Sequence, residues 1–174
     1  MDRCWILLGM MGSGKTTVGQ MLARKADRLF WDTDSLLQAR LGRPVSQLFH
    51  VYGEEAFRSH ETALLASLEP AAAVLSTGGG IVVRAENWQH LRRLGHTVYV
   101  RVAPEVLKLR LKRSKRRRPL LWREDWQERI DEILAERREL YEQADAAVDI
   151  GDEGHDEVVE ALHRAFLSLA GRVD

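Results

Sequence analysis

The sequence has a single cysteine, Cys4, among 174 residues. No disulfide can form within the chain, so a reducing compartment, the cytoplasm, is the expected setting. Cys4 lies in an apolar run and reads as a small buried side chain rather than a nucleophile. Charge of one sign is also missing, because 26 Lys and Arg balance 26 Asp and Glu. No net field favours a nucleic acid or a membrane surface as partner. Long apolar runs are absent too: none reaches the roughly 18 residues that a membrane span needs. The N-terminus enters an apolar strand at once, which leaves no room for a targeting segment. The six histidines (His50, His60, His90, His96, His155 and His163) show no metal-ligand spacing and have no companion cysteines, which speaks against a zinc site. No repeat or low-complexity linker divides the chain. One α/β domain over residues 1–174, acting as a monomer, is the expectation.

What is present is organised around Gly9-Met10-Met11-Gly12-Ser13-Gly14-Lys15-Thr16, which matches G-x-x-x-x-G-K-[ST] at every fixed position. The apolar run Cys4-Trp5-Ile6-Leu7-Leu8 precedes it, and a helical pattern through Val18, Met21 and Leu22 follows. Strand, glycine loop and helix is the context in which this motif binds a nucleoside triphosphate. Glycines turn backbone N–H groups inward around phosphate oxygens, and the helix N-terminus adds positive potential. Lys15 can reach the terminal phosphates, and the Thr16 hydroxyl is placed to ligate Mg²⁺.

Leu29-Phe30-Trp31 reads as a second strand ending in Asp32-Thr33-Asp34, where open α/β sheets bind ligands. One reading is that one carboxylate caps a helix from Ser35 to Leu41. The other gives them two jobs, with Asp32 holding Mg²⁺ through water and Asp34 accepting a hydrogen bond from a substrate hydroxyl. Gly42-Arg43-Pro44 breaks that helix, a short one spans Val45 to Val51, and a longer one runs from about Glu54 to Leu68. On this last helix Glu61 falls within about 40° of Phe57 on the wheel, hence on the apolar face, with Arg58 three residues back. Arg58 and Glu61 form either a structural ion pair or a clamp in which Glu61 orients Arg58 toward a carboxylate ligand.

Ala72 to Ser76 is a third strand, followed by Thr77-Gly78-Gly79-Gly80. Consecutive glycines there mean close backbone approach to a ligand, or positive φ in a turn. No aspartate closes this strand, which shifts the metal role toward Asp32. Arg84 to Leu94 reads as a helix stopped by Gly95, Thr97 to Val102 as a fourth strand, and Pro104 opens the next helix. From Lys112 to Arg118 six of seven residues are basic, and Pro119 follows. With balanced charge and no interleaved aromatics, a mobile lid over phosphates (about 112–124) is favoured over a nucleic-acid patch. On the helix from about Asp125 to Ala144, Arg137 shares the apolar stripe of Ile130, Ile133, Leu134 and Tyr141. An arginine there must find an anion or snorkel to water; an anion is favoured. Ala147 to Ile150 is a fifth strand and Asp156 to Leu169 a closing helix.

Six elements in this order resemble the shikimate kinases, in the nucleoside-monophosphate-kinase-like branch of phosphate-loop proteins. They are Gly9 to Thr16 with Thr17 and Gly19; Asp32-Thr33-Asp34; Gly53-Glu54 with Phe57-Arg58-x-x-Glu61; Ser76 to Gly80; Arg118-Pro119-Leu120-Leu121; and Arg137-x-x-Leu140-Tyr141. The likeness runs from Ile6 to about Ile150 and implies a three-layer α/β/α fold, with a five-stranded parallel sheet in order 2-3-1-4-5 and a mobile lid. It implies transfer of the γ-phosphoryl group of ATP to the 3-hydroxyl of shikimate, with Mg²⁺. Gly12, Ser13, Gly14, Lys15, Thr16 and Thr17 would hold the nucleotide, and Thr16 and Asp32 the metal. Asp34 would orient the attacked hydroxyl and is the candidate base. Arg58 and Arg137 would bind the carboxylate within a helical region at about 33–61 and its surroundings. Gly79 and Gly80 would line the ring, and Arg118 would close on the phosphates. The family places an adenine-stacking arginine shortly before the lid; Leu111 aligns there, flanked by Arg110, which is the candidate for the base. Rival readings are another small-molecule kinase, such as a gluconate kinase, and a non-catalytic nucleotide-dependent RNA-binding switch.

Overall fold

Residues Cys4–Leu8 (β1) are buried at every position because both faces of this strand are covered, which is why the run is continuously apolar. A computed structural model describes residues 3–114 and 124–171. In it β1 is the middle of a five-stranded sheet, with Leu29–Asp32 (β2), Ala73–Ser76 (β3), Gly95–Val102 (β4) and Ala146–Ile150 (β5) ordered β2-β3-β1-β4-β5. All four pairings are parallel, with Trp5 opposite Val74 on one side and His96 on the other. The expected order is the observed one.

The pleat sends alternate β1 side chains to opposite layers. Trp5 and Leu7 pack with Val18 and Leu22 of Lys15–Lys25 (α1) and with Phe166 of His155–Ala170 (α7). Cys4, Ile6 and Leu8 pack with Leu65 of Val45–Ser67 (α3), Leu91 and Leu94 of Ala85–Leu94 (α4), and Tyr141 of Trp126–Tyr141 (α6). Pro104–Arg113 (α5) begins with proline at its first turn, as expected, and buries Leu107 and Leu111. A satellite core of Leu37, Leu48, Phe57 and Leu64 joins Thr33–Leu41 (α2) to α3. Among the described residues no helix is long and apolar enough to cross a membrane.

Three local features depart from the sequence reading or refine it. The two helices expected on either side of residue 53 meet as α3 at Gly53, whose φ of 79° and ψ of 170° are non-helical and kink the chain between them. This kink starts the segment carrying Glu54, Arg58 and Glu61 on a new axis. Gly95 stops α4 as expected, its amide donating to the Leu91 carbonyl, but not in the left-handed region. Its φ of 174° is extended, it opens β4, and a Cβ there would collide with the Cys4 backbone. Between Gly80 and Ala85 lies a 3₁₀ turn, Ile81–Val83, which periodicity over so short a run does not reveal.

Candidate active site

The phosphate loop joins β1 to α1, and its three glycines at positive φ (Gly9 147°, Gly12 82°, Gly14 91°) make its curvature possible. Space is limiting as well. A Cβ on Gly9 would lie 2.8 Å from the Val100 carbonyl oxygen, and one on Gly12 would lie 2.9 Å from Leu111 Cδ2. Lys15 is buried, and its ammonium folds across the loop, donating to the carbonyls of Gly9 (2.7 Å) and Met10 (2.9 Å) and to Ser13 Oγ (3.1 Å). The first turn of α1 holds no acidic residue, so nothing there opposes the positive end of the helix. Thr17 lies on that turn and is exposed.

At the carboxyl ends of β2 and β3, three oxygens gather beside the loop. Thr16 Oγ1 donates to Asp32 Oδ2 at 2.9 Å and lies 3.4 Å from Ser76 Oγ. The other Asp32 oxygen, Oδ1, accepts from the Ser35 amide at 3.0 Å and caps α2. The capping expected of one of the two aspartates thus belongs to Asp32, which spends one oxygen on it and keeps the other on Thr16. One carboxylate and two hydroxyls are hard ligands too few to enclose an ion. Among the described residues no three His, Cys, Asp or Glu side chains gather as a metal group. That set fits Mg²⁺, which keeps waters and phosphate oxygens in its shell.

Gly78, Gly79 and Gly80 form the opposite wall, and each is small for a different neighbour. None of the three has positive φ, so close approach is the reason for all of them. A Cβ on Gly78 would lie 3.0 Å from both Asp34 Oδ1 and Glu61 Oε1. On Gly79 it would lie 3.1 Å from the Met11 amide nitrogen of the phosphate loop, and on Gly80 it would overlap the Arg58 guanidinium. The strip is pinned by side chains. Thr33 Oγ1 accepts from the Gly78 amide (2.9 Å), while the Tyr141 hydroxyl (2.5 Å) and Arg137 Nη1 (3.3 Å) both donate to the Gly79 carbonyl. Burial pushes the Tyr141 hydroxyl up to about 12, so it stays a donor.

Arg58 and Glu61 are both buried, at 7% and 1% exposure, and their Nη1–Oε2 distance is 2.6 Å. Burial raises the Glu61 carboxyl above its ordinary value; the Arg58 charge opposes this, and nearby Asp34 reinforces it. For Arg58, burial acts downward, but Glu61 and then Glu54 together more than offset it and the guanidinium ends raised. The Arg58 guanidinium carbon lies 5.6 Å from the ring centres of Phe49 and Phe57. Two buried atoms of the pair, Arg58 Nε and Glu61 Oε1, lack a hydrogen-bond partner among the described residues. Arg137 is half-buried on the inward stripe of α6, while Arg138 and Glu136 are exposed. Arg58 and Arg137 both lie at the glycine strip, Arg58 against Gly80 and Arg137 on the Gly79 carbonyl.

At the end of the loop nearest β5, Arg110 donates to the Ser13 carbonyl (3.2 Å) and the Gly151 carbonyl (3.1 Å). Leu111, the aligned position, is instead a core side chain seated under Gly12, with 1% exposure. Arg118, and the lid apart from Lys112 to Ser114 and Glu124, lie outside the described residues. Thr33, Ser76 and Tyr141 escaped assignment from sequence. Tyr141 gave one signal, its position one turn after Arg137.

Comparison with known proteins places this geometry among relatives. A family model described as shikimate kinase matches residues 11–166. The chain is 39% identical over 168 residues to a shikimate kinase of Caldanaerobacter subterraneus subsp. tengcongensis, covering 96% of this chain and 98% of that one. It is 44% identical over 148 residues to a shikimate kinase of Synechococcus sp., covering 84% of this chain and 78% of the other. A solved shikimate kinase from Acinetobacter baumannii in complex with shikimate superposes with a TM-score of 0.89 at 31% identity, covering 100% of this chain and 97% of that chain.

Proposed function

We propose a reaction for this chain, which belongs to the shikimate kinase family: transfer of the γ-phosphoryl group of ATP to the 3-hydroxyl of shikimate, giving shikimate 3-phosphate and ADP. The observation that carries the reading is the double contact of Gly79, packed on the phosphate-loop amide of Met11 while its carbonyl takes the Arg137 guanidinium. An anionic acceptor held by Arg137 and Arg58 is thereby held beside the phosphates.

On this reading the loop amides of Gly12, Ser13 and Gly14 and the first turn at Thr17 cradle the phosphates, and Lys15 exchanges its carbonyl partners for the β- and γ-oxygens. Thr16 and Asp32 would hold Mg²⁺. The ion, when bound, neutralises charge on the β- and γ-phosphates. Arg110, held on the Ser13 and Gly151 carbonyls, faces the base. Arg58 and Arg137 fix the shikimate carboxylate, while Gly79 and Gly80 let the ring lie against backbone. Asp34, at the Gly78 end, orients the 3-hydroxyl. That oxygen forms its bond to the γ-phosphorus as the bond to the β-phosphate oxygen breaks, and Asp34 receives the hydroxyl proton. Phosphoryl transfer demands positioning and charge neutralisation above all, and the fold supplies both from rigid elements.

The test is ADP release from ATP and Mg²⁺ with shikimate, gluconate or no acceptor, in the wild type and in Arg137→Ala. Turnover is expected with shikimate alone, and the variant is expected to lose most of it. Turnover with gluconate instead, or none with either acceptor despite ATP binding, would overturn the reading.

A further inference from the structure

Arg58 is shared by two carboxylates that differ in kind. Glu61, three residues later, is buried and cannot leave. Glu54, four residues earlier and directly after the Gly53 kink, places Oε1 3.1 Å from Arg58 Nη2, yet its side chain is 65% exposed. Glu54 belongs to the motif around Arg58, but phosphoryl transfer as derived above has no use for it.

Charge shows what it does there. Among the described residues the acceptor side holds two cations, Arg58 and Arg137, against three carboxylates, Asp34, Glu61 and Glu54. An incoming carboxylate would be a fourth. If Glu54 swings into water, two cations face two fixed acids plus the ligand, and an edge of the guanidinium is released for bidentate binding. Glu54 can make this move cheaply, because an exposed ion pair is weak and solvent takes up its carboxylate.

We propose that Glu54 is an internal competitor: its carboxylate occupies Arg58 Nη2 in the free enzyme and is displaced by the carboxylate of the acceptor. The inference rests on the reading of Arg58 as the acceptor clamp. Glu54 is tethered one helical turn from Arg58, so it competes at a high effective concentration whatever the ligand. A featureless carboxylate has only the clamp with which to win. An acceptor that also reaches Asp34, Arg137 and Gly80 wins readily. Glu54 thus sets a threshold that keeps small metabolic acids off the clamp.

The experiment is calorimetric titration of shikimate, and separately of benzoate, into wild type, Glu54→Gln and Glu54→Asp without nucleotide. Removing the competitor should tighten both ligands by the same factor, about two- to fivefold, since both displace the same carboxylate. Glu54→Asp, one methylene too short for the contact, should behave like Glu54→Gln; an effect of charge at a distance would survive in it. In turnover, KM for shikimate should fall further than kcat changes. Unchanged or weaker binding of shikimate in Glu54→Gln overturns the proposal, as does tightening of one ligand alone or wild-type behaviour in Glu54→Asp. A wild type that binds shikimate but forms no ADP with it overturns the reaction and leaves the displacement standing. No binding of shikimate by any of the three proteins overturns both.

Discussion

The two walls of the cleft hold anions by opposite means. The phosphate wall is backbone curved by three positive-φ glycines, with one buried lysine resting on the carbonyls of its own loop. The acceptor wall is built of charged side chains, and each cation has a protein partner: Arg58 has Glu61 and Glu54, and Arg137 has the Gly79 carbonyl. Backbone amides are dipoles and need no counter-ion to be stable when bare. Buried guanidinium groups do need one, so the acceptor wall must carry acids that its ligand then has to tolerate or displace. Damage to the first wall should therefore appear in the chemistry, and damage to the second in stability and acceptor binding together.

Lys15→Ala should give the largest effect. Its expected cost is about 10³-fold in kcat, with acceptor affinity nearly unchanged, as measured by ADP release and by shikimate titration. Arg58→Ala comes next, with kcat/KM for shikimate down about 10²-fold and stability down about 3–5 kcal/mol because Glu61 is left buried without its partner. Denaturant unfolding reads the second number. The double variant Arg58→Ala/Glu61→Ala sharpens the contrast: it should recover part of the stability and none of the activity. If Arg58→Ala costs only activity, the two walls are not built on different terms.

Gly80→Ala separates the walls more gently. The three atoms nearest the added Cβ all belong to the Arg58 guanidinium, which it overlaps. KM for shikimate should rise about tenfold, the cost of losing good geometry at one charged contact. Binding of an ATP analogue should stay as in the wild type. A matching loss of nucleotide affinity would join what the geometry keeps apart.

The same difference decided what could be read from sequence. The phosphate wall is local, eight consecutive residues with a strand before and a helix after, so its motif was complete on the page. The acceptor wall draws on α2, α3, the loop after β3, and α6, and it was visible only as anomalies of pattern. Glu61 stood on an apolar face, Arg137 stood in an apolar stripe, and three glycines closed a strand. Those anomalies identified the residues but left their reasons open. Only the tertiary arrangement shows that Gly78, Gly79 and Gly80 make room for Asp34 with Glu61, for the phosphate loop, and for Arg58 in turn. Thr33 and Tyr141 left weaker traces, because the backbone groups they hold lie 45 and 62 residues away in the chain. Gly95 was legible as the end of α4, but its need for smallness comes from Cys4 on the neighbouring strand, and no local pattern contains that neighbour.

Tyr141→Phe tests the pinning of the strip at a smaller scale. It removes one of two donors from the Gly79 carbonyl and leaves Arg137 on it. The expected loss is about 1 kcal/mol of stability, with a modest rise in KM for shikimate.

The smallest effect concerns pH and belongs to Glu61. Its folded-state carboxyl is raised above the ordinary value of 4.5, chiefly by burial. Between that value and the raised one, the folded protein holds a proton that the unfolded chain has released. Stability must then fall as pH rises through this window, the reverse of an acid held low by its partner. Arg58, raised above its ordinary value, contributes stability that is complete to far above this window and does not change here. Thermal unfolding from pH 4.5 upward should therefore show a decline in Tm that flattens in Glu61→Gln. A wild-type slope that survives in the variant would place the titrating group elsewhere and leave the acceptor wall without its own dependence on pH.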